Sequence, residues 1–226
     1  MPRDKIRVIH SGVDRGLYSP GSASDGSPRA NGRLRMGYLA RLAPEKGLHV
    51  AVDAFLALAD EFPNLELDVA GYEGRDQRKF QDKVRKKIRK RGLEERVRWR
   101  GTVDLEGKLD LLSSIDVLVV PTTYPDPKGL YALEAMASGV PFVVSQHGIS
   151  EELVEATSAG LLAQVGDAES VAAKTRELLL DESLRRDMGA RGLSAVETRF
   201  GSDMMARQSV ALYRDLCAGH STVESA

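Results

Sequence analysis

From Leu34 onward, short apolar runs of strand length alternate with segments of helical periodicity, and this alternation constrains the fold more than any other feature. Strands that follow one another in this way are joined by helical crossovers, which makes them parallel members of one sheet. Several of the runs are continuously apolar, as parallel strands covered by helices on both faces require. The sequence therefore predicts an α/β fold with a doubly wound parallel sheet.

The same pattern predicts the individual elements. The predicted strands are Leu34–Leu39, Leu65–Ala70, Arg96–Arg100, Val117–Val120, Val140–Ser145 and Gly160–Gln164, and the predicted helices cover 48–62, 76–91, 106–113, 130–137, 170–180, 185–198 and 203–216. A β-rich run at Ile6–Ile9 precedes residues 20–32, where Gly, Ser, Pro and Asn predict a mobile loop. We expect a linker and loop over 1–32, one sheet domain over 33–199, and a C-terminal helix and tail over 200–226.

Composition excludes several classes of protein. The 33 acidic residues nearly balance the 32 basic ones, so no global field points to nucleic acid. Cys217 is the single cysteine, which excludes an internal disulfide and favours a reducing, cytoplasmic location. No apolar run approaches the roughly 20 residues that a bilayer span needs. We expect a soluble chain that is at most peripheral to a membrane.

Ligands of open α/β sheets bind beyond the carboxyl ends of the strands, where this chain has three polar clusters, at 40–47, 71–74 and 121–129. The first cluster places Arg41 and Lys46 five residues apart, between a strand end and a helix start. Two cations beside the amides of a helix start suit an anion such as a diphosphate. The alternative is two ordinary surface cations near Glu45.

The third cluster runs from a strand through a proline-flanked turn into a short helix. Leu130, Leu133, Glu134 and Ala137 occupy positions i, i+3, i+4 and i+7, which predicts that Glu134 lies on the apolar face. A buried carboxylate needs a partner, either a hydrogen-bonding ligand or an internal cation. A solvated rim position is the alternative. Gly129, at the helix start, would let the backbone approach a phosphate closely.

These segments resemble the C-terminal, donor-binding domain of family 4 ("group 1") glycosyltransferases, which have the two-domain GT-B architecture. The matching landmarks are His10-Ser-Gly-Val-Asp14, Arg41-Leu-Ala-Pro-Glu-Lys46-Gly47, Ala70-Gly71-Tyr-Glu73-Gly74, Val97-Arg-Trp-Arg-Gly101-Thr-Val103, Pro121 and Gly129-Leu-Tyr-Ala-Leu-Glu134-Ala-Met-Ala-Ser-Gly-Val-Pro141. The resemblance implies a Rossmann-like sheet, the C-terminal half of a GT-B fold. It also implies retaining transfer of a hexosyl unit from a nucleotide diphosphate sugar to an acceptor hydroxyl.

The resemblance assigns roles to individual residues. Arg41 and Lys46 would neutralise the diphosphate, and Glu134 would bind the ribose hydroxyls. The amides of Gly129 and Leu130 would meet a phosphate, and the backbone of Gly101, Thr102 and Val103 would border the base. The first landmark would be the interdomain linker, so an N-terminal acceptor-binding domain would precede it. The isolated chain is then expected to transfer little or nothing.

One position departs from the family pattern, which has a glutamate contacting the donor sugar eight positions before Glu134. This chain has Asp126 there, one methylene shorter. Either the loop sits closer to the sugar or the contact differs, and a plain turn residue between two prolines is the alternative. His147 is a further candidate for a sugar contact, against simple loop polarity.

Motifs for other phosphate chemistry do not occur. No Gly-x-Gly-x-x-Gly opens a helix, Gly101–Lys108 fails the P-loop spacing, and there is no Asp-x-Asp pair. We therefore expect neither a metal nor another cofactor, with UDP or GDP favoured as the nucleotide of the donor. A GT-B nucleotide-sugar epimerase fragment and a non-catalytic nucleotide-binding module remain alternatives.

Residues 78–100 hold twelve basic and three acidic side chains, a local net charge of +9. A solvated helix is the simplest interpretation. The alternative is peripheral contact with anionic lipid at the inner face of the membrane, as a membrane-recruitment surface. Nucleic acid is not an expected partner, because no aromatic platform for stacking bases interleaves these cations.

Overall fold

The computed structural model describes residues 6–18 and 32–220, within which six strands form one sheet. The strands are β1 (Leu34–Leu39), β2 (Leu65–Ala70), β3 (Val97–Gly101), β4 (Val117–Val120), β5 (Phe142–Ser145) and β6 (Gly160–Ala163). All neighbouring strands are parallel, in the order β3-β2-β1-β4-β5-β6. The predicted doubly wound, Rossmann-like sheet is confirmed.

Eight α-helices connect or follow the strands in the described part of the chain. They are α1 (Leu48–Leu58), α2 (Arg78–Lys90), α3 (Leu105–Ser114), α4 (Leu130–Ala137), α5 (Ile149–Thr157), α6 (Ala168–Leu180), α7 (Glu182–Ala195) and α8 (Ser202–His220). Helix α1 contacts α2 and α6, while α4 contacts α7. Every residue of β4 and β5 is buried, because helices cover both faces of the sheet there.

The sequence and the structure differ at two places. The β-rich run Ile6–Ile9, which was not among the predicted strands, pairs with no strand of the described residues, and Val8 is exposed. Helix α5 was not predicted, since its first two turns are rich in glutamate and only a few of its side chains are buried. Residues 19–31, which include most of the predicted mobile loop, lie outside the described residues.

The segment before the sheet runs beside the start of the last helix. Val13 forms a parallel bridge with Gly201, and its N–H donates to the carbonyl of Phe200 at 2.9 Å. A Cβ on Gly12 would lie 2.5 Å from the carbonyl oxygen of Gly201, so no side chain fits there. Residues 12–13 and the start of α8 are therefore held together closely.

Helix α8 leaves the body of the domain with its apolar residues uncovered. Met205, Val210, Tyr213 and Leu216 are all exposed, so this face does not fold onto the domain. Among residues 6–18 and 32–220, no helix combines the length and the hydrophobicity that crossing a bilayer requires.

The strand order defines where a ligand can bind. Strands β1 and β4 are neighbours, with Met36 aligned to Val117, although β2 and β3 lie between them in sequence. The chain therefore turns to opposite sides after these two strands, which opens a crevice at their carboxyl ends. The loops 40–47 and 121–129, the first and third polar clusters, meet at that crevice.

Candidate functional site

The loops after β1 and β4 are joined by hydrogen bonds. The buried hydroxyl of Tyr38 donates to the carbonyls of Arg41 and Lys46, at 3.0 and 3.1 Å. Burial raises the pKa of Tyr38, which keeps this hydroxyl protonated and able to donate. From the other loop, the N–H of Thr123 donates to the carbonyl of Glu45 at 2.9 Å. The two loops thus form one structural unit.

Gly47 permits this close approach. Its φ is 72°, and a Cβ at this position would lie 1.8 Å from the carbonyl oxygen of Pro121. Any side chain would force the loops apart, so the sequence landmark Lys46-Gly47 has a steric reason.

Lys46 and Asp126 form an ion pair at the base of the crevice. The ammonium Nζ lies 2.5 Å from Asp126 Oδ2 and 2.8 Å from the hydroxyl of Tyr124. The two charged side chains are 14% and 7% exposed. Burial alone would lower the pKa of Lys46, but its hydrogen bonds to Asp126 and Tyr124 outweigh this and raise it. The lysine stays charged.

The second oxygen of Asp126 binds the start of α4. Oδ1 accepts the N–H groups of Lys128 and Gly129 at 3.0 and 3.2 Å, and Gly129 has a φ of 59°. The amide of Gly129, which the sequence assigned to a phosphate, is therefore bound to a carboxylate here. The N–H of Leu130 has no acceptor among the described residues. Asp126 itself thus supplies a negative charge to the start of α4, where the helix amides favour an anion.

Burial alone would raise the pKa of Asp126, but its hydrogen bonds with Lys46, Lys128 and Gly129 lower it. Its carboxylate is thus charged and fully engaged. Arg41, in contrast, lies near the surface: its side chain is 56% exposed and pairs with Glu45 at 2.9 Å. The two cations of the first cluster differ in their surroundings, since Lys46 is largely buried and Arg41 reaches solvent.

Helix α4 has a different burial pattern from the one that its sequence predicted. Its residues are buried nearly all round, and Leu130 is the exposed exception at 42%. Glu134, one turn later on that side, is partly exposed. The predicted apolar face was therefore wrong in including Leu130, because both flanking faces of this short helix pack into the domain. Glu134 lies on the open side.

Glu134 pairs with an internal cation, one of the two partners that the sequence led us to expect for its carboxylate. Lys108 on α3 places its ammonium group 2.6 Å from Glu134 Oε1, and the hydroxyl of Tyr18 lies 3.4 Å from the same oxygen. The side chains of Lys108 and Glu134 are 27% and 14% exposed. This cluster brings together α3, α4 and the segment that precedes the sheet.

The loop after β3 lies at the same edge of the sheet. Gly101 has a φ of 66°, and its carbonyl accepts the N–H of Gly71 at 2.8 Å. Thr102 is exposed and Val103 packs against the core, so their backbone runs along the edge just before α3. His147 turns inward: Nε2 lies 2.8 Å from the carbonyl oxygen of Thr122, and Nδ1 is buried without a partner among the described residues.

Sequence reasoning missed three contributors to these clusters, namely Tyr18, Lys108 and Tyr124. Tyr124 lies inside the third polar cluster, so its position was a usable signal. Lys108 and Tyr18 are 26 and 116 residues from Glu134, and neither belongs to a pattern that predicts the contact. The ligand roles assigned to the candidate residues stay predictions.

The chain is similar to known proteins over most of its length. The sequence profile of the family described as "Glycosyl transferases group 1" matches residues 23–194. The glycogen synthase of Mycobacterium tuberculosis is 35% identical over 83% of this chain and 43% of its own length. The phosphatidyl-myo-inositol mannosyltransferase of Mycobacterium leprae is 29% identical over 88% of this chain and 52% of its own length.

Among solved structures, the sucrose-phosphate synthase of Thermosynechococcus elongatus is similar, with 28% identity and a TM-score of 0.81. The match covers 94% of this chain and 53% of that one. The chain thus spans about half the length of the curated relatives that it matches.

Proposed function

The chain belongs to the group 1 family of glycosyltransferases, and from this premise we propose that it is the donor-binding domain of a retaining enzyme. This enzyme would transfer a glycosyl unit from a nucleotide diphosphate sugar to an acceptor hydroxyl. The observation that carries the proposal is the crevice between β1 and β4, where the largely buried cation Lys46 lies beside the start of α4.

The diphosphate would bind at the start of α4. Lys46 and the free N–H of Leu130 offer a charge and an oriented donor, and Arg41 is close enough to solvent to approach a ligand from outside. Such groups stabilise the negative charge that develops on a departing diphosphate, the kind of electrostatic effect that often dominates catalysis. Because Lys46 already pairs with Asp126, the ligand would have to share or displace that carboxylate.

The remaining parts of the donor would follow along the crevice. Glu134 would bind the ribose hydroxyls, the backbone at 101–103 would border the base, and Asp126 and His147 would lie toward the sugar. His147 would have to turn its ring outward to make that contact. UDP or GDP is the nucleotide that we propose, without a metal. Retention of the anomeric configuration rests on the family resemblance.

We also propose how the rest of the enzyme is arranged. Residues 33–199 would form the nucleotide-sugar-binding domain, 1–32 the linker to an acceptor-binding domain, and 200–226 the segment that returns to it. The bridge between Val13 and Gly201 supports this division, because it places the two segments side by side. Since the relatives are about twice as long, the 226-residue chain alone would transfer little or nothing.

Calorimetric titration with UDP, GDP, ADP and their sugars tests the proposal. We expect one nucleotide to bind the purified chain weakly, and Lys46→Ala to abolish that binding. Lys174→Ala, which removes a cation from α6 far along the chain, is the matched control and should change nothing. Absence of binding to all three nucleotides would contradict the proposal. Glycosyl transfer by the 226-residue chain at a typical rate for such enzymes, about 1 s⁻¹ or faster, would contradict its dependence on a second domain.

We further propose that α2 contacts anionic lipid at the cytoplasmic face of a membrane. Four lysines lie at positions i, i+4, i+7 and i+11 of this helix, on the side opposite its buried residues: Lys79, Lys83, Lys86 and Lys90. All four are exposed, and no carboxylate of the described residues pairs with them. Nearby cations, in contrast, have acidic partners, for example Lys87 with Asp53 at 2.7 Å.

The relative from Mycobacterium leprae is named for a lipid acceptor, which supports a membrane-associated role for this chain as well. Vesicles with 30% phosphatidylserine test the contact, with phosphatidylcholine vesicles for comparison. We expect binding that weakens with salt and falls at least about tenfold when the four lysines become glutamine. A variant with Lys174, Arg186, Arg191 and Arg207 changed to glutamine has the same net charge and should still bind. Equal losses in both variants would contradict a specific α2 surface.

A further inference from the structure

The two protein partners of Glu134 bind the same oxygen. The ammonium group of Lys108 and the hydroxyl of Tyr18 both lie within hydrogen-bond distance of Oε1, at 2.6 and 3.4 Å. No donor among the described residues bonds to Oε2. The carboxylate is therefore anchored at one oxygen and open at the other.

This arrangement fixes the direction of the open oxygen. A glutamate side chain loses substantial rotamer freedom when it binds a ligand, and anchoring it beforehand removes part of that cost. Burial and the neighbouring Glu134 raise the pKa of Tyr18, so its phenol remains a donor to Oε1 at any ordinary pH. Oε2 then remains the acceptor that a hydroxyl group of a ligand can reach.

Lys108 also changes the electrostatics of the crevice. Glu134 lies five residues beyond Gly129, about 7.5 Å along α4 from the helix start. An unpaired carboxylate at this distance would repel a diphosphate bound at the helix start. The positive charge of Lys108 compensates that of Glu134, so the acceptor of hydroxyl groups does not weaken the anion site.

We propose that Lys108 is a positioning residue for ribose recognition, which holds Oε1 of Glu134 so that Oε2 binds the ribose hydroxyls. The inference rests on the proposed function, and it adds a residue of α3 to the nucleotide site. Tyr18 supports the same oxygen from the segment before the sheet.

Titrations with matched ligands separate this role from a general one. The probes are UDP and GDP, their 2′-deoxy and 3′-deoxy forms, and inorganic pyrophosphate, each against wild type, Lys108→Met, Lys108→Arg and Lys174→Met. Removing a ribose hydroxyl should weaken binding to wild type about tenfold, but binding to Lys108→Met only about twofold. Lys108→Arg keeps a charged donor and should restore the discrimination, and Lys174→Met should match wild type.

Pyrophosphate binding to Lys108→Met should stay within about twofold of wild type, since the anion site is elsewhere on α4. Unchanged discrimination in Lys108→Met would overturn the inference, and so would tighter nucleotide binding, which would mean that Lys108 competes with the ligand. If wild type binds none of the probes, the proposed function itself fails and the inference fails with it. Binding by wild type together with unchanged discrimination in Lys108→Met would remove the inference alone.

Discussion

Two ion pairs flank the same short helix, and they differ in how completely their carboxylates are engaged. At the start of α4, both oxygens of Asp126 have protein partners, with Lys46 at one and two backbone amides at the other. Farther along, both partners of Glu134 bind one oxygen. The first pair must exchange a partner before a ligand can bind, whereas the second already presents a free acceptor.

Burial follows the same division. The side chains of Lys46 and Asp126 are 14% and 7% exposed, while those of Lys108 and Glu134 are 27% and 14% exposed. The buried pair lies where Gly47 lets two loops approach each other, and the more open pair lies on the crevice side of α4. We propose accordingly that the first pair contributes to the stability of the crevice and the second mainly to recognition.

The largest expected effect is on stability, and it can break this comparison directly. Lys46→Met leaves Asp126 buried without its cation, which should lower the free energy of unfolding by about 3 kcal/mol. Lys108→Met leaves Glu134 partly hydrated and should cost less than about 1 kcal/mol. Urea unfolding followed by circular dichroism measures both values.

The double variant Lys46→Met/Asp126→Leu is the control, because it removes both charges and should recover part of the loss. Equal losses in the two single variants would show that burial does not distinguish the pairs. No recovery in the double variant would assign the loss to packing of the lysine side chain.

The fold was largely predictable because its signal is local. The predicted bounds of β1, β2 and β4 agree with the observed ones, and so do those of α4, where a glycine marks the start and most residues of the helix are apolar. Helix α5 escaped prediction because its glutamates face solvent and its few buried side chains give a weak period. The parallel direction of the strands followed from the alternation of elements, whereas their order in the sheet came only from the structure.

For the candidate site, the sequence predicted single residues but not which of them pair. Lys46, Asp126 and Glu134 each stand at a strand end or on a helix start, positions that the fold class singles out. Their partners depend on distances between segments that are remote in sequence, so no local pattern shows that Asp126 binds Lys46. The pairing of Glu134 with Lys108 required α3 and α4 to be placed side by side, which only the packed structure supplies.

Arg41 lies at the entrance of the crevice and is more exposed than the cations of both pairs. Its side chain is exposed, and among the described residues it pairs only with Glu45, so Arg41→Met should leave the free energy of unfolding within about 0.5 kcal/mol of wild type. Loss of a charge-assisted contact to the diphosphate should weaken nucleotide binding about tenfold. Calorimetry and urea unfolding test the two parts, and Arg176→Met, another exposed and paired arginine, is the control. A stability loss as large as that of Lys46→Met would contradict the assignment.

Replacing a carboxylate by an amide should strengthen ligand binding at Asp126 and weaken it at Glu134. Asp126→Asn removes the charge that competes for Lys46, and pyrophosphate should bind about fivefold more tightly. Glu134→Gln turns one oxygen into a donor and removes the charge that Lys108 binds, so UDP or GDP should bind about fivefold more weakly. Titration of each variant with pyrophosphate and with the nucleotide gives all four values.

Asp126→Glu is the matched control, since it keeps the charge and restores the longer side chain of the family pattern. It should not show the tighter pyrophosphate binding of Asp126→Asn. Weaker binding of pyrophosphate to Asp126→Asn would mean that the carboxylate positions Lys46 for the ligand, which would reverse the interpretation of the first pair.

The smallest expected effect is a change of stability with pH. The hydrogen bonds of Asp126 with Lys46 and the helix amides place its pKa in the folded chain below the ordinary value of about 4. As the pH falls below that value, the unfolded chain takes up the proton first, so the stabilising contribution of the pair declines. Above it, up to the ordinary pKa of a lysine, about 10.4, the contribution is complete, and it declines as the pH rises from there through the raised pKa of Lys46.

Wild type should therefore exceed Asp126→Asn in free energy of unfolding by a constant amount from pH 5 to 8, and by a decreasing amount from pH 4 to 2.5. Urea unfolding at several pH values measures this difference, from which the effects of other carboxyl groups cancel because both proteins contain them. A difference that stays constant through pH 2.5 would show that the carboxylate of Asp126 is not stabilised by its partners. The pair Lys46–Asp126 would then contribute no more to the stability of the fold than the pair Lys108–Glu134, and the contrast between the two pairs beside α4 would fail.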